Sequence, residues 1–201
     1  KEQFAVFTAV LDALEARGCR FAIRHCANSG ALARYPETYL DMVRPGIALY
    51  GVGDVAERLG LRPVMRLKSC VSTIKVLDPD TTVSYGRTFR TEGKTRMGVL
   101  PIGYADGFFR GLSNRMAVQT ADGPAPLRGR ICMDMCMVDL TALPEVKVGD
   151  TVEIFGRTQS VDRLAAILDT IPYELTCAVS KRVPRLYMEQ GRETERSLRL
   201  L

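Results

Sequence analysis

The sequence predicts an α/β segment followed by a β-rich domain, and two patterns along the chain carry this prediction. Up to about residue 53, apolar residues at helical spacing alternate with short apolar runs, an order typical of the last two βα units of a parallel (β/α)8 barrel. After Gly60, short β-rich runs are separated by Gly, Pro and Asp, which indicates a sandwich or a small barrel. We therefore expect the end of an α/β barrel at residues 1–57, a β-rich domain at 58–190 and a charged, frayed tail at 191–201.

The composition is that of an ordinary globular protein, with 201 residues, 46% hydrophobic and 25% charged, and a net charge of +5. No apolar run approaches the roughly 20 residues of a membrane span, and no signal peptide opens the sequence. Basic residues are interspersed with acidic ones and form no stripe with aromatic residues, so a nucleic acid is not an expected partner. Six cysteines and one histidine form no zinc-binding pattern, and we expect reduced thiols in a cytoplasmic protein.

The first part of the chain is predicted to be helix, strand, short helix, strand and short helix. Apolar residues between Phe4 and Leu14 form a helical stripe that Gly18 ends, and residues 21–23 form a short apolar strand. Ser29 stands where the N-cap of the next helix is expected, before residues 30–34. Because the chain enters this pattern without a separate first strand, we expect the beginning of the domain to be missing.

Two loops of this first part have the residues of an anion site. Gly46 lets backbone N–H groups approach a ligand, and Ser29 adds a hydroxyl from the preceding loop. Taken alone, the two residues predict a turn and a helix cap; together, at the ends of successive barrel strands, they indicate a phosphate site. His25 and Arg44 lie beside them, with a structural histidine and a solvated surface arginine as the alternatives.

The β-rich part contains regularly spaced strand candidates. We expect strands within 64–77, 83–89, 96–102, 116–120, 126–131, 135–140 and 151–155, helices starting at Ser160 and near Tyr173, and a last extended segment at 183–187.

The strand predicted at residues 83–89 (VSYGRTF) has the strongest chemical signal. Gly86 interrupts it, and glycine within a strand often marks a bulge or a close approach. The phenol of Tyr85, with the cation of Arg87 two residues on, is able to act as an acid or a base. The alternative is an ordinary half-buried strand tyrosine.

Six motifs in order give the chain a resemblance to a known family. They are HCANS at 25–29, RPGIALYG at 44–51, VSYGR at 83–87, PIGYADG at 101–107, GRICMD at 129–134 and PYE at 172–174. With these motifs, most of residues 20–187 resembles the carboxy-terminal part of bacterial alanine racemases, which are fold-type-III pyridoxal-phosphate enzymes. The resemblance implies racemisation of alanine for D-alanine supply to the cell wall, by a two-base mechanism.

The resemblance also implies residue roles. Tyr85 corresponds to one of the two catalytic bases. The cofactor contacts that it implies are the pyridine nitrogen partner Arg44, its neighbour His25, and the phosphate binders Ser29, Gly46, Ile47 and Tyr173. The implied substrate contacts are Met133, through its backbone to the carboxylate, and Tyr104, on the access route.

One departure from the family pattern is large. The cofactor-binding lysine of the family lies in a motif of the type Lys-Ala-Asn-Ala-Tyr-Gly, and none of the six lysines here has such a context. We therefore expect a piece of a longer protein that is inactive alone. The resemblance further implies a homodimer in which the tyrosine of one subunit serves the cofactor of the other. The alternatives are a serine-acting racemase of the same family and a non-catalytic dimerisation module.

Overall fold

The computed structural model describes residues 1–198, which divide into two compact units. The first unit runs from Lys1 to Val64 and the second begins at Met65, whereas the pattern change in the sequence placed the boundary after residue 57. None of the helices within the described residues is long and apolar enough to cross a membrane.

The first unit consists of short helices. They are α1 (Glu2–Glu15), α2 (Ser29–Arg34), α3 (Asp54–Leu59) and two 3-10 helices, Pro36–Thr38 and Ile47–Tyr50. The predicted first helix is confirmed. The predicted strand at residues 21–23 is wrong, because a strand of a parallel sheet requires backbone partners on a neighbouring strand. The parallel backbone pairing found in the described part of this unit is a single bridge between Asn28 and Arg44.

The cap of α2 differs from the prediction by one residue. The side chain of Asn28, not that of Ser29, accepts the N–H of Ala31, at 3.0 Å. Asn and Ser are equally good caps, and the sequence places them side by side. Because Asn28 caps the helix, the hydroxyl of Ser29 is left for another partner.

Up to residue 198, the second unit contains eleven strands, two α-helices and three 3-10 helices. The strands are β1 (Leu67–Cys70), β2 (Thr73–Leu77), β3 (Thr82–Val83), β4 (Phe89–Arg90), β5 (Thr95–Leu100), β6 (Ala117–Thr120), β7 (Gly123–Pro126), β8 (Cys136–Asp139), β9 (Thr151–Phe155), β10 (Arg185–Glu189) and β11 (Arg192–Ser197), and the helices are α4 (Val161–Leu168) and α5 (Pro172–Ala178). All strand pairs are antiparallel, in one sheet of order β1-β9-β6-β7, a second of order β2-β5-β8, and the hairpins β3-β4 and β10-β11.

The core of this unit comes from the inward positions of the two larger sheets. Val118 and Val152 of the first sheet and Leu100 and Val138 of the second are fully buried. Each such side chain contributes about 1.5–3 kcal/mol through the removal of apolar surface from water. Cys136 lies among them, and its burial, with the nearby Cys132, raises the pKa of its thiol. The β-rich domain that the spacing predicted is therefore built around an apolar interior.

Most of the predicted elements of this unit are confirmed, and one strand is displaced. The strand expected at 126–131 forms earlier, as β7, and contains Pro124 and Pro126. Proline donates no backbone hydrogen bond and so is confined to sheet edges, and β7 is the edge strand of its sheet.

The expectation of a frayed charged tail is wrong for residues 192–197. They form β11, which pairs with β10 through a two-residue loop at Gln190 and Gly191. Both loop residues have positive φ, 48° and 81°, as a tight hairpin turn of mirror-image type requires. The high charge of the segment does not prevent pairing, since both faces of an exposed hairpin tolerate charge. Residues 199–201 of the expected tail lie outside the described residues.

Candidate functional site

Tyr85 lies at the tip of a hairpin and not in a continuous strand. Residues 85–87 form a 3-10 turn between β3 and β4, so the strand predicted at 83–89 is wrong in its middle. Ser84, Gly86 and Arg87 all have positive φ, which no strand permits. The side chain of Tyr85 is 73% exposed. The phenol is therefore presented to its surroundings from a tight turn.

Contacts to a second loop hold this turn in place. The hydroxyl of Ser84 donates to the carbonyl of Arg130 at 2.7 Å, although a positive φ at a serine is itself unfavourable. The guanidinium of Arg130 lies against the turn, with its carbon 3.2 Å from where a Cβ of Gly86 would stand. Sequence reasoning missed Ser84 and Arg130 as parts of the site, since neither residue type in that position signals a fixed turn. Arg130 adds a cation next to the backbone that carries Tyr85.

Three of the predicted site residues meet in one cavity of the second unit. Tyr85, Tyr104 and Met133 line a cavity of about 630 Å³, together with Ser84, Cys132, Asp134 and Met135. Its wall thus combines two phenols with the flexible apolar side chains of two methionines. A phenol supplies a proton donor or acceptor, and methionines adapt to small apolar groups. The geometry suits a small ligand that exchanges a proton.

A close backbone contact fixes the positions of Tyr104 and Met133. The N–H of Tyr104 donates to the carbonyl of Cys132, and the N–H of Ala105 to that of Met133, both at 3.0 Å. A Cβ at Gly103 would lie 2.3 Å from each of these carbonyl oxygens. Only glycine therefore allows the turn at residues 103–107 to rest on the loop at 132–135 this closely.

A second group of predicted residues lies in the first unit. The hydroxyl of Ser29, 3% exposed, accepts the N–H of Ala48 at 3.3 Å. Gly46 is adjacent, since a Cβ there would stand 3.9 Å from the Ser29 hydroxyl oxygen. The bridge between Asn28 and Arg44 keeps the two loops side by side. Ser29 thus lies on a loop that adjoins the loop of Arg44, Gly46 and Ile47.

Two further predicted residues, His25 and Tyr173, lie in separate units of the chain. His25 is exposed in the loop before α2, next to Arg24, which forms an ion pair with Asp41 at 2.7 Å. Tyr173 is 44% exposed on the first turn of α5 and does not line the cavity around Tyr85. Among residues 1–198, no group of three or more His, Cys, Asp or Glu side chains is arranged to hold a metal ion.

Comparison with known families assigns both parts of the chain. A family model described as the alanine racemase carboxy-terminal domain matches residues 64–187, and the alanine racemase amino-terminal domain matches residues 1–54. The chain belongs to the alanine racemase family. This confirms the resemblance of the sequence motifs, and it confirms the fold class of a β-rich domain that follows a short barrel portion.

Curated relatives agree with the family models. An alanine racemase of Desulfovibrio desulfuricans is 49% identical over 192 residues, covering 94% of this chain and 52% of that protein. Alanine racemase 2 of Caldanaerobacter subterraneus is 46% identical over 198 residues, covering 95% and 51%. The chain thus spans about half the length of the curated relatives it matches.

Solved structures give the same result for the backbone. The alanine racemase of Clostridium difficile in complex with cycloserine has a TM-score of 0.93 and 40% identity, covering all of this chain (100%) and 54% of that one. The alanine racemase of Bacillus anthracis with bound L-Ala-P has a TM-score of 0.88 and 32% identity, covering 98% and 52%.

Proposed function

We propose that the whole protein interconverts L- and D-alanine with pyridoxal phosphate as its cofactor and so supplies D-alanine for the cell wall. The observation that carries the proposal is the cavity in which Tyr85, Tyr104 and Met133 meet, in a chain whose relatives are alanine racemases. The six free thiols, three of them exposed, fit the reducing cytoplasm that we propose as its location.

The residues of the first unit fit the cofactor. The Ser29 hydroxyl is buried next to Gly46, where the lack of a side chain leaves the backbone N–H groups open to a phosphate. We propose that Ser29 and the N–H groups of Gly46 and Ile47 bind the phosphate, with the hydroxyl of Tyr173 as a further donor and His25 beside the ring. Bound pyridoxal phosphate would supply the electron-withdrawing ring that makes the Cα proton of alanine acidic.

Arg44 and Tyr85 have separate tasks in this proposal. The guanidinium of Arg44 would face the ring nitrogen of bound pyridoxal phosphate, and because it has only N–H donors it would leave that nitrogen unprotonated. The ring would then withdraw fewer electrons, which would favour simple proton exchange over side reactions. The Tyr85 oxygen takes or returns the Cα proton on one face of the substrate.

Replacing the phenol tests the role of Tyr85. In the whole protein, Tyr85→Phe should slow abstraction from one enantiomer of alanine more than from the other, because the base acts on one face only. The measurement is the rate of Cα–H exchange with deuterated solvent, taken separately for L- and D-alanine. Tyr187→Phe is the matched control, an exposed tyrosine on β10 outside this cavity. Unchanged and equal rates for Tyr85→Phe would contradict the proposal.

We also propose that the site is shared between the subunits of a homodimer. Tyr85 is 73% exposed, and its cavity is flanked by Met133 and Met135, 54% and 47% exposed, a surface that fits a partner subunit. Mixing subunits tests it: a Tyr85→Phe subunit and a subunit that lacks the cofactor lysine should regain activity together, since one of two sites is then intact. No recovery in a mixture shown to contain mixed dimers would contradict sharing.

Two alternatives have distinct outcomes. A serine-acting racemase of this family would turn over serine faster than alanine in the same assay. A non-catalytic dimerisation module would associate but show no effect of Tyr85→Phe on any activity.

We further propose that the 201-residue chain alone does not racemise alanine, because none of its six lysines stands in the motif that binds the cofactor. Measurable turnover by this chain would contradict that.

A further inference from the structure

The strongest unassigned feature of the second unit is one arginine that joins two loops of the Tyr85 cavity. The Arg182 Nε atom donates to Asp106 at 2.7 Å, and its Nη2 atom donates to Asp134 at 2.6 Å. These two carboxylates lie 76 and 48 residues away in the sequence, which is why sequence reasoning missed the cluster. The hydrogen bonds to Asp106 and then Asp134 raise the pKa of the Arg182 guanidinium above its ordinary value.

Each carboxylate belongs to a loop that carries a cavity residue. Asp106 follows Tyr104 in the turn at 103–107, and its second oxygen accepts the N–H of Gly103 at 2.9 Å. Asp134 is adjacent to Met133 and itself lines the cavity. The backbone of Ser180 also donates to the Asp106 carbonyl at 3.1 Å, so the segment before Arg182 is docked on the same turn.

We propose that Arg182 is a positioning residue that sets the spacing between Tyr104 and Met133. This rests on the proposed racemase function only for its kinetic consequence. The planar guanidinium bridges two carboxylates at a fixed separation, which a lysine ammonium does not reproduce. The Arg182 side chain is 41% exposed and that of Asp134 is 55% exposed, so the ion pair with Asp134 adds little to stability. Asp106 is only 14% exposed, and its ion pair holds the other loop more firmly.

The consequence expected for the reaction is a weaker hold on substrate. The proposed contact to the alanine carboxylate is the backbone of Met133, so displacement of that loop should raise KM more than it lowers kcat. Misplacing a site group by about 1 Å costs up to about 100-fold. Because two backbone hydrogen bonds between the loops remain, we expect a smaller loss for Arg182→Ala, about tenfold in kcat/KM, with kcat changed less than about twofold.

Hydrogen exchange and kinetics together test the bridge from Arg182 to Asp106 and Asp134, which we call the clamp. In the 201-residue chain, Arg182→Ala should speed amide exchange at Tyr104 and Ala105, with exchange in β5 unchanged. In the whole protein, Arg182→Ala should raise KM for alanine, Arg182→Lys should lie between it and the wild type, and adding Asp134→Asn to Arg182→Ala should change KM no further.

The matched control is Arg196→Ala. Arg196 also uses Nε and Nη2, both to Glu193 on β11 at 2.9 and 3.0 Å, away from the cavity residues. Unchanged exchange at Tyr104 and Ala105 would overturn the clamp, as would a KM change no larger than that of Arg196→Ala in an active enzyme. A wild-type whole protein that racemises no amino acid would refute the proposed function instead, and the exchange result would then decide the clamp by itself.

Discussion

Gly103→Ala should destabilise the second unit by an amount that follows from the contact between its two cavity loops. The added Cβ would stand 2.3 Å from the carbonyl oxygens of Cys132 and Met133, whereas real Cβ contacts essentially never fall below 3.0 Å. Neighbouring backbone, not a flexible side chain, must therefore move. That movement stretches the hydrogen bonds from Tyr104 and Ala105 to the same two oxygens.

The size of the effect is the sum of two losses. Two backbone hydrogen bonds are worth about 2 kcal/mol together, and overpacking strain adds about 1 kcal/mol or more. A loss of about 3 kcal/mol corresponds to a melting temperature lower by about 6–12 °C in a chain of this size. Because Tyr104 and Met133 move with their loops, the same substitution in the whole protein should also lower racemase activity.

Urea denaturation of the 201-residue chain measures this directly. The chain has no tryptophan, so far-UV circular dichroism or tyrosine fluorescence reports the transition. The midpoint should fall without a change in the slope m. Gly93→Ala is the matched control, an exposed turn glycine with no atom within 4 Å of the added Cβ. A Gly103→Ala midpoint equal to that of Gly93→Ala would refute the reasoning from loop contact.

Three further predictions concern stability. Glu153→Gln should cost about 2 kcal/mol at neutral pH, because the buried carboxylate then loses its charge-assisted bonds from Arg66, at 2.9 and 2.7 Å; denaturation midpoints measure it. Asp41→Asn should lower the melting temperature at pH 5 and converge with the wild type near pH 2, because the hydrogen bonds from Arg24 hold the pKa of Asp41 at about 2. Ser160→Ala should cost about 1 kcal/mol, because Ser160 caps α4; its midpoint should fall accordingly.

Proton linkage determines how the contribution of Asp41 to stability changes with pH. A carboxyl whose folded-state pKa is depressed stabilises the fold above its unfolded value, 3.8, and loses this contribution as the pH falls toward about 2. A stability difference that persists at pH 2 would contradict the ion pair.

For Glu153, burial favours the protonated form, but the Thr158 N–H and Arg66 outweigh it and lower the pKa. A difference between Glu153→Gln and wild type that grows in acid would contradict this balance.

The sequence predicted most of the helices and strands whose formation depends on neighbouring residues, such as a helix cap or a run of strand-forming residues. The helix starting after Ser160 follows from a capping serine before apolar residues at helical spacing, and β9 follows from a run of β-branched and apolar residues. The hairpin turn at Gln190 and Gly191 was missed because the charge of the surrounding residues indicated a frayed tail. The predicted strand at 21–23 failed for a different reason, since strand formation depends on partners that a local pattern does not specify.

The family resemblance named Tyr85, Tyr104 and Met133 as site residues, and the structure brings these three together in one cavity. Their roles in a reaction stay predictions. The turn that carries Tyr85 was missed because three positive φ angles, two of them at Ser84 and Arg87, leave no compositional mark. The bridge through Arg182 was missed because its partners are distant in sequence.

Tyr85 is not the half-buried strand tyrosine that was the alternative for its own seven residues, because its side chain is exposed. A side chain that stabilises its own fold is buried by its own chain, and its pattern reports that burial. Tyr85 is 73% exposed, and the turn that carries it is held by the hydrogen bond from the Ser84 hydroxyl to the Arg130 carbonyl. The strained turn therefore does not serve the packing of the phenol. It presents an oxygen atom away from the domain that carries it, as the proposed base acting on a partner subunit's substrate would require.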